Sequence, residues 1–348
     1  MARAALPWNV GSTPAGDRYA GATRIAKDPG GSMTFLLVAC ALFARRSKFR
    51  LQLAARLPAS YHLRLWPLAV ALCSLLVAPQ SLSGAAPSQA SSSRTVKNEA
   101  IKAIPLAKLD PQDRAEVSAI VKNTSIFRRM PVQVTECDPH LYLFLVQHPE
   151  VIVDIWQVMG ISKVTLERTG ENSFAANDGS GTTGSVKICY ASQDTHVIIA
   201  EGSYIGPLSD RPLKAKCVML LKSGYMQETN RRWYVTSRLD AFIQMENVGV
   251  EILAKTFQPL INKSADYNFA ETAGFVSHVS KTAEANPAGM TRLARKLVDV
   301  DDTTRERFVE LSTQVAQRAA ERKTSSQVVK ARTPNLRTTS QVRNKPAG

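Results

Sequence analysis

The chain has 348 residues, 44% of them hydrophobic and 21% charged, with a formal net charge of +15. That balance excludes a wholly disordered, collagen-like or polytopic membrane protein. The 18 Gly and 18 Pro fall in no internal repeat, which excludes a solenoid or propeller.

The charge sits at the two ends. Residues 1–85 carry 10 basic and 2 acidic side chains, and residues 289–348 carry 13 and 6. Residues 86–288 carry 21 of each. A neutral body between two basic ends is not the footprint of a nucleic-acid-binding fold.

Residues 1–32 are rich in Gly, Pro and Ala without periodicity, and Met33 or a later site reads as the natural start of translation. Arg56, His62 and Arg64 then precede the apolar run 66–78, and Ser83 and Ala85 supply a small-x-small exit. Basic flank, short apolar core and small residues make a secretory signal, cleaved after Ala85. The run falls short of the roughly 20 residues that span a bilayer. Retention as an anchor, from Trp66 to Leu82, is the alternative. Export would leave Cys137, Cys189 and Cys217, with no Cys-x-x-Cys pair. Cys189 and Cys217 are the natural pair if one disulfide forms, and three buried free thiols are the alternative.

The Ala/Ser-rich stretch from residue 86 reads as a linker to 109. Asp110-Pro111 opens a helix to about Lys122, with Asp as N-cap and Pro at the first position. Asp138-Pro139 repeats the device, and His148-Pro149 interrupts and restarts a second helix that Gly160 ends. Six strands follow, at 163–168, 172–176, 186–190, 197–204, 213–221 and 232–243, joined by short turns as an antiparallel meander. In the last of them Trp233, Val235, Leu239 and Ala241 share one face. Tyr234, Thr236, Arg238 and Asp240 share the other, where Arg238 and Asp240 read as a surface pair. Val250, Leu253, Phe257, Leu260 and Ile261 are spaced as the buried stripe of a long helix. Another helix runs from 270 to about 283. The fold class predicted is α+β: about six antiparallel strands wrapped on a long C-terminal helix, with extra helices at both ends.

This order resembles the helix-grip fold of the START-like superfamily, which includes lipid-transfer domains and polyketide cyclases. The run Phe144-Leu145, His148-Pro149-Glu150 and Trp156 is similar to the helix-Pro-helix-Trp opening of many members, and the resemblance covers residues 138–283. The chain departs from the family by an extra preceding helix and by helical material beyond the gripping one. The body is also similar to secreted bacterial proteins of unassigned function. The family resemblance implies an apolar ligand between sheet and helix, lined by Val186, Ile188, Trp233, Val235, Leu253, Phe257 and Leu260. A cavity of roughly 300 Å³ or more separates such a binding protein from one with a filled core.

Catalytic motifs are absent, and so are metal spacings and any residue pattern that implies a cofactor. The Gly-rich stretch 178–184 lacks the Gly-Lys-Ser/Thr of a phosphate cradle and reads as a hairpin loop. His140 and His148 read as surface or capping groups. In the strand at 196–201, Val197, Ile199 and Glu201 share one face, and His196, Ile198 and Ala200 the other. Whichever face is inner carries a titratable group, so Glu201 and His196 are the catalytic candidates. A carboxylate inside a cavity would have a raised pKa, whereas Glu201 at an exposed strand end would be inert.

Residues 289–321 read as a helical extension, with Phe308, Leu311, Val315 and Ala319 on one stripe. Residues 322–348 carry Arg322, Lys323, Lys330, Arg332, Arg337, Arg343 and Lys345, no acid and no aromatic. That composition predicts a disordered basic tail that touches anionic membrane or envelope polymer, with no specific nucleic-acid partner. Three functions follow from these readings. The first is non-catalytic binding of an apolar or lipid-like ligand by an exported cell-envelope protein. The others are an interaction protein acting through its tail, and an enzyme using Glu201 or a histidine.

Overall fold

The computed structural model describes residues 89–206, 209–246, 248–249, 252 and 258–332. The signal segment, Val250, Leu253, Phe257, Arg337, Arg343 and Lys345 lie outside the described residues. Helix α1 is Arg94–Ala103 and α2 is Pro111–Lys122. Two short strands follow, β1 (Ile126–Arg129) and β2 (Gln133–Glu136), then α3 (Pro139–Gln147) and α4 (Pro149–Val158). Six longer strands come next: β3 (Thr165–Gly170), β4 (Ser173–Asn177), β5 (Thr182–Ala191), β6 (Thr195–Gly206), β7 (Ser209–Gln227) and β8 (Trp233–Met245). The C-terminal helices are α5 (Gln258–Ala285), α6 (Pro287–Ala294) and α7 (Asp302–Arg332).

The chain is α+β, as its element order predicts. Its strands form one antiparallel sheet of eight in the order β1-β8-β7-β6-β5-β4-β3, with β2 also paired to β8. The count of six fails because β1 and β2 are four residues each, separated by Pro131, and too brief to show alternation. They add to the edge at β8, in register Arg129↔Asp240 and Val134↔Thr236.

The helices predicted to start at Pro111, Pro139 and Pro149 begin there, because Pro at the first position gives up only an amide that a helix end leaves unbonded. Asp138 caps α3 by accepting from the His140 and Leu141 amides. Asp110 holds the N-cap position of α2 but its side chain makes no capping bond. Gly160 ends α4 at φ +68°, a conformation glycine adopts without strain. The supposed linker 86–109 contains α1, which Ser93 caps through the Val96 amide. At the other end α7 continues to Arg332, and Arg322 pairs with Glu284 of α5 at 2.7 Å. The basic tail therefore does not begin at 322.

Both faces of the sheet are covered. On one, α1 and α2 bury Ala100, Val117 and Ile120 against Val197, Ile199, Val218, Leu220 and Phe242. On the other, α3, α4 and α5–α7 enclose the larger core, which includes Val186, Ile188, Ile198, Met219, Val235, Leu239 and Phe308. Helix α5 packs on β2, α3, α6 and α7. Cys137, Cys189 and Cys217 form no disulfide among the described residues. The strands of Cys189 and Cys217 are not neighbours, since β6 lies between β5 and β7, and Cys217 belongs to the larger core whereas Cys189 packs at the smaller.

Candidate ligand-binding site

A cavity of about 120 Å³ lies in the larger core, between the sheet and α3, α4 and α5. Helical spacing builds most of its wall. Tyr142, Leu145 and Val146 of α3 recur at steps of three and four, and so do Pro149, Ile152, Val153 and Trp156 of α4. Thr272, Ala273 and Val276 close it from α5. The sheet contributes the register pairs Ile198↔Met219 and Leu221↔Leu239, with Ser237 and, from β2, Thr135.

The wall is apolar apart from two polar features. At one, the Tyr142 hydroxyl lies 3.0 Å from Ser223 Oγ and 2.8 Å from Ser237 Oγ. Burial pushes the phenol's pKa up, so it stays protonated. The other consists of three orphans: Thr135 Oγ1, Thr272 Oγ1 and Trp156 Nε1 are buried without a hydrogen-bond partner. Trp156 is 3% exposed and Thr135 2%. Its ring meets Phe275 edge-on at 5.6 Å, and the indole N–H can only donate. Each unpaired buried group costs about 1–3 kcal/mol. Three of them around one void are therefore an expensive arrangement for a core to keep.

The expected ligand-lining residues are divided by the structure. Val186, Ile188 and Val235 are buried on the cavity's side of the sheet but do not line it. Trp233 is half-buried near the edge of β8, and its carbonyl accepts from the Cys137 amide. Leu260 lies within α5. The true lining comes from α3 and α4 and from one register step along β6, β7 and β8. The Phe144–Trp156 motif marked these helices, but the sheet residues carried no separate signal.

Neither catalytic candidate reaches the cavity wall. Glu201 faces α2, the opposite side from the cavity, where Lys216 pairs with it and lies 3.5 Å from Glu116. Partial burial alone would raise its pKa. Hydrogen bonding to Lys216 and Glu116 outweighs that and holds it below the usual carboxylate range. Glu116, sharing the site, is pushed up by its hydrogen bond to Glu201. His196 is fully buried with both ring nitrogens unpartnered, and burial drives its pKa down to about 4. At neutral pH it is an uncharged core residue.

Asp240 is not on a surface face. It is fully buried, and Arg129 of β1 grips it with Nε at 2.6 Å and Nη2 at 3.0 Å. Alternation placed it correctly opposite Leu239, but that face carries a second core under α1. Cys137 is no nucleophile, since burial pushes its thiol up to about 12. His140 is exposed, whereas His148 stacks on Phe144 at 4.5 Å and lies 3.3 Å from the buried Glu150. Arg168 completes that group, 2.6 Å from the same Glu150 oxygen. The Gly-rich turn is a hairpin loop: Asp178 accepts from the Ser180 and Thr182 amides, and a Cβ at Gly181 would lie 2.1 Å from the Ile205 carbonyl oxygen. Among the described residues no group of three His, Cys, Asp or Glu could hold a metal ion.

No family model matches the chain, and no curated protein matches it. Among solved structures, a hypothetical protein from Helicobacter pylori superposes with a TM-score of 0.26 at 14% identity, over 42% of this chain and 84% of that one. A likeness that weak assigns neither fold family nor activity.

Proposed function

We propose that the protein binds a small apolar ligand, or the end of an acyl chain, that carries one hydrogen-bond acceptor. The observation that supports this is the coincidence of an apolar cavity with three polar atoms that find no partner within the protein. An unfilled void of about 120 Å³ costs on the order of 3 kcal/mol by cavity volume, before the orphaned polar groups are added. That is a large share of the 5–15 kcal/mol by which folds are stable. An occupant with an acceptor for Trp156 Nε1 would fill the void and satisfy that donor. The volume is below the roughly 300 Å³ of a drug-sized site, and close to that of engineered apolar cavities that take up benzene. The occupant is therefore a small molecule or one chain terminus, not a whole lipid.

In this reading α5 is the gripped helix of a helix-grip fold, since Thr272, Ala273 and Val276 face the sheet across the void. The site is non-catalytic, because no titratable side chain other than the Tyr142 phenol lines it. We place the protein at the cell envelope, on the basic flank, apolar run and small-residue exit at 56–85. No described helix is long and apolar enough to cross a membrane. Native mass spectrometry of protein purified from its own host tests the reading. A co-purifying species of low mass and apolar character is expected, and N-terminal sequencing of the same sample should begin after Ala85. A host-purified protein that carries nothing and gains nothing on incubation with medium-chain fatty acids leaves the filled-core, interaction-protein reading.

A further inference from the structure

The smaller core ends at the surface in an open groove of about 540 Å³ between α1 and α2. Its floor is Ile101, Ile104, Leu106, Val117 and Val121, and its rim is Arg94, Lys97 and Lys122. The acids of the same two helices are all used on the sheet side. Glu99 pairs with Arg129 and Arg238, Asp113 with Lys187 at 2.6 Å, and Glu116 with Lys216. Among the described residues no carboxylate pairs with any of the three rim cations. The helices thus separate charge across their own width: neutralised towards the sheet, purely cationic towards the groove.

We infer that this groove docks the protein on an anionic lipid surface, the three cations taking acidic headgroups and the apolar floor an acyl chain. Charge complementarity favours an acidic partner, and a floor of aliphatic side chains beneath the cations favours an amphiphile over a soluble anion. Partial burial lowers the Lys97 pKa, a cost that a bound headgroup would relieve. The inference is independent of the cavity, which lies on the other face of the sheet.

The test is co-sedimentation of the full chain with phosphatidylglycerol/phosphatidylcholine vesicles at ~100 mM salt. The triple variant Arg94→Gln, Lys97→Gln, Lys122→Gln is compared with Arg337→Gln, Arg343→Gln, Lys345→Gln, which loses the same charge from the C-terminal segment. The groove variant should weaken vesicle binding on the order of a hundredfold, with an unchanged melting temperature. The C-terminal variant should weaken it clearly less, and pure phosphatidylcholine should bind poorly throughout. Ile101→Gln, which leaves every charge in place, should also weaken binding to the anionic vesicles. Equal losses in the two triple variants would mean that only net charge matters, and would overturn the inference. So would glycerol phosphate binding as tightly as the vesicles.

Discussion

His196 and Asp240 show how a single side chain can be located by pattern and still be misjudged in chemistry. Alternation along β6 puts His196 and Glu201 on opposite faces without choosing the inner one, and the structure buries His196. What alternation could not supply is that neither ring nitrogen finds a hydrogen-bond partner in the protein. Its pKa of about 4 lies below the ordinary histidine value of 6.5. Between those two pH values the unfolded chain takes up a proton that the folded chain refuses. Stability is then fully present above pH ~6.5 and falls as pH drops towards 4, by up to about 3 kcal/mol. Urea denaturation across that range should show the slope, and His196→Leu should flatten it; an unchanged acid limb in the variant would assign the slope to other groups. Asp240 was misjudged for a different reason. Its partner Arg129 lies 111 residues away in a strand too short to recognise, and the face they share is roofed by α1. Asp240→Asn leaves Arg129 buried with only Glu99, and is expected to cost about 3–5 kcal/mol. Replacing the pair together, Arg129→Met with Asp240→Leu, should restore most of that in a double-mutant cycle.

Among whole elements, legibility followed local chemistry. Asp110-Pro111, Asp138-Pro139 and His148-Pro149 each state a helix start within two residues, and all three helices begin there. The six longer strands are read from alternation at 186–190 and 232–243, from the apolar run 213–221 and from the turns between them. By contrast, α1 begins in a Ser-rich stretch and is held mainly by burial of Ala100 under the sheet's second face, a tertiary cause no local window contains. The same limit hid the site. Helices α3 and α4 announced their inner faces, but which strand residues meet them depends on sheet order, and that places Met219 and Leu221, not Val186 and Ile188, at the void. Helix α5 offers a direct probe. Ala273 lines the cavity and is only partly exposed, so Ala273→Leu should fill the void, hold or raise the melting temperature, and abolish small-ligand binding. Leu145→Ala, which enlarges the same void, should lower stability by about 2–5 kcal/mol. A destabilised Ala273→Leu would show that the space is smaller than described.

For the molecule as a whole, two covered sheet faces separate two surfaces of different chemistry. One holds the mostly apolar cavity, and the other carries the cationic groove between α1 and α2. The neutrality of residues 86–288 hides this, because the acids of α1 and α2 are turned towards the sheet and their cations away from it. The C-terminal charges divide as well. Arg322 is tied to Glu284, so a chain ending at Ala320 should lose stability, contrary to what a free tail from 322 would predict. If the void between α5 and the sheet is a binding site, calorimetric titration with medium-chain fatty acids will detect it. One-to-one binding with a negative heat-capacity change is expected, weakened in Trp156→Phe and absent in Ala273→Leu. No heat of binding to the unmodified chain, or equal binding by Ala273→Leu, would contradict it.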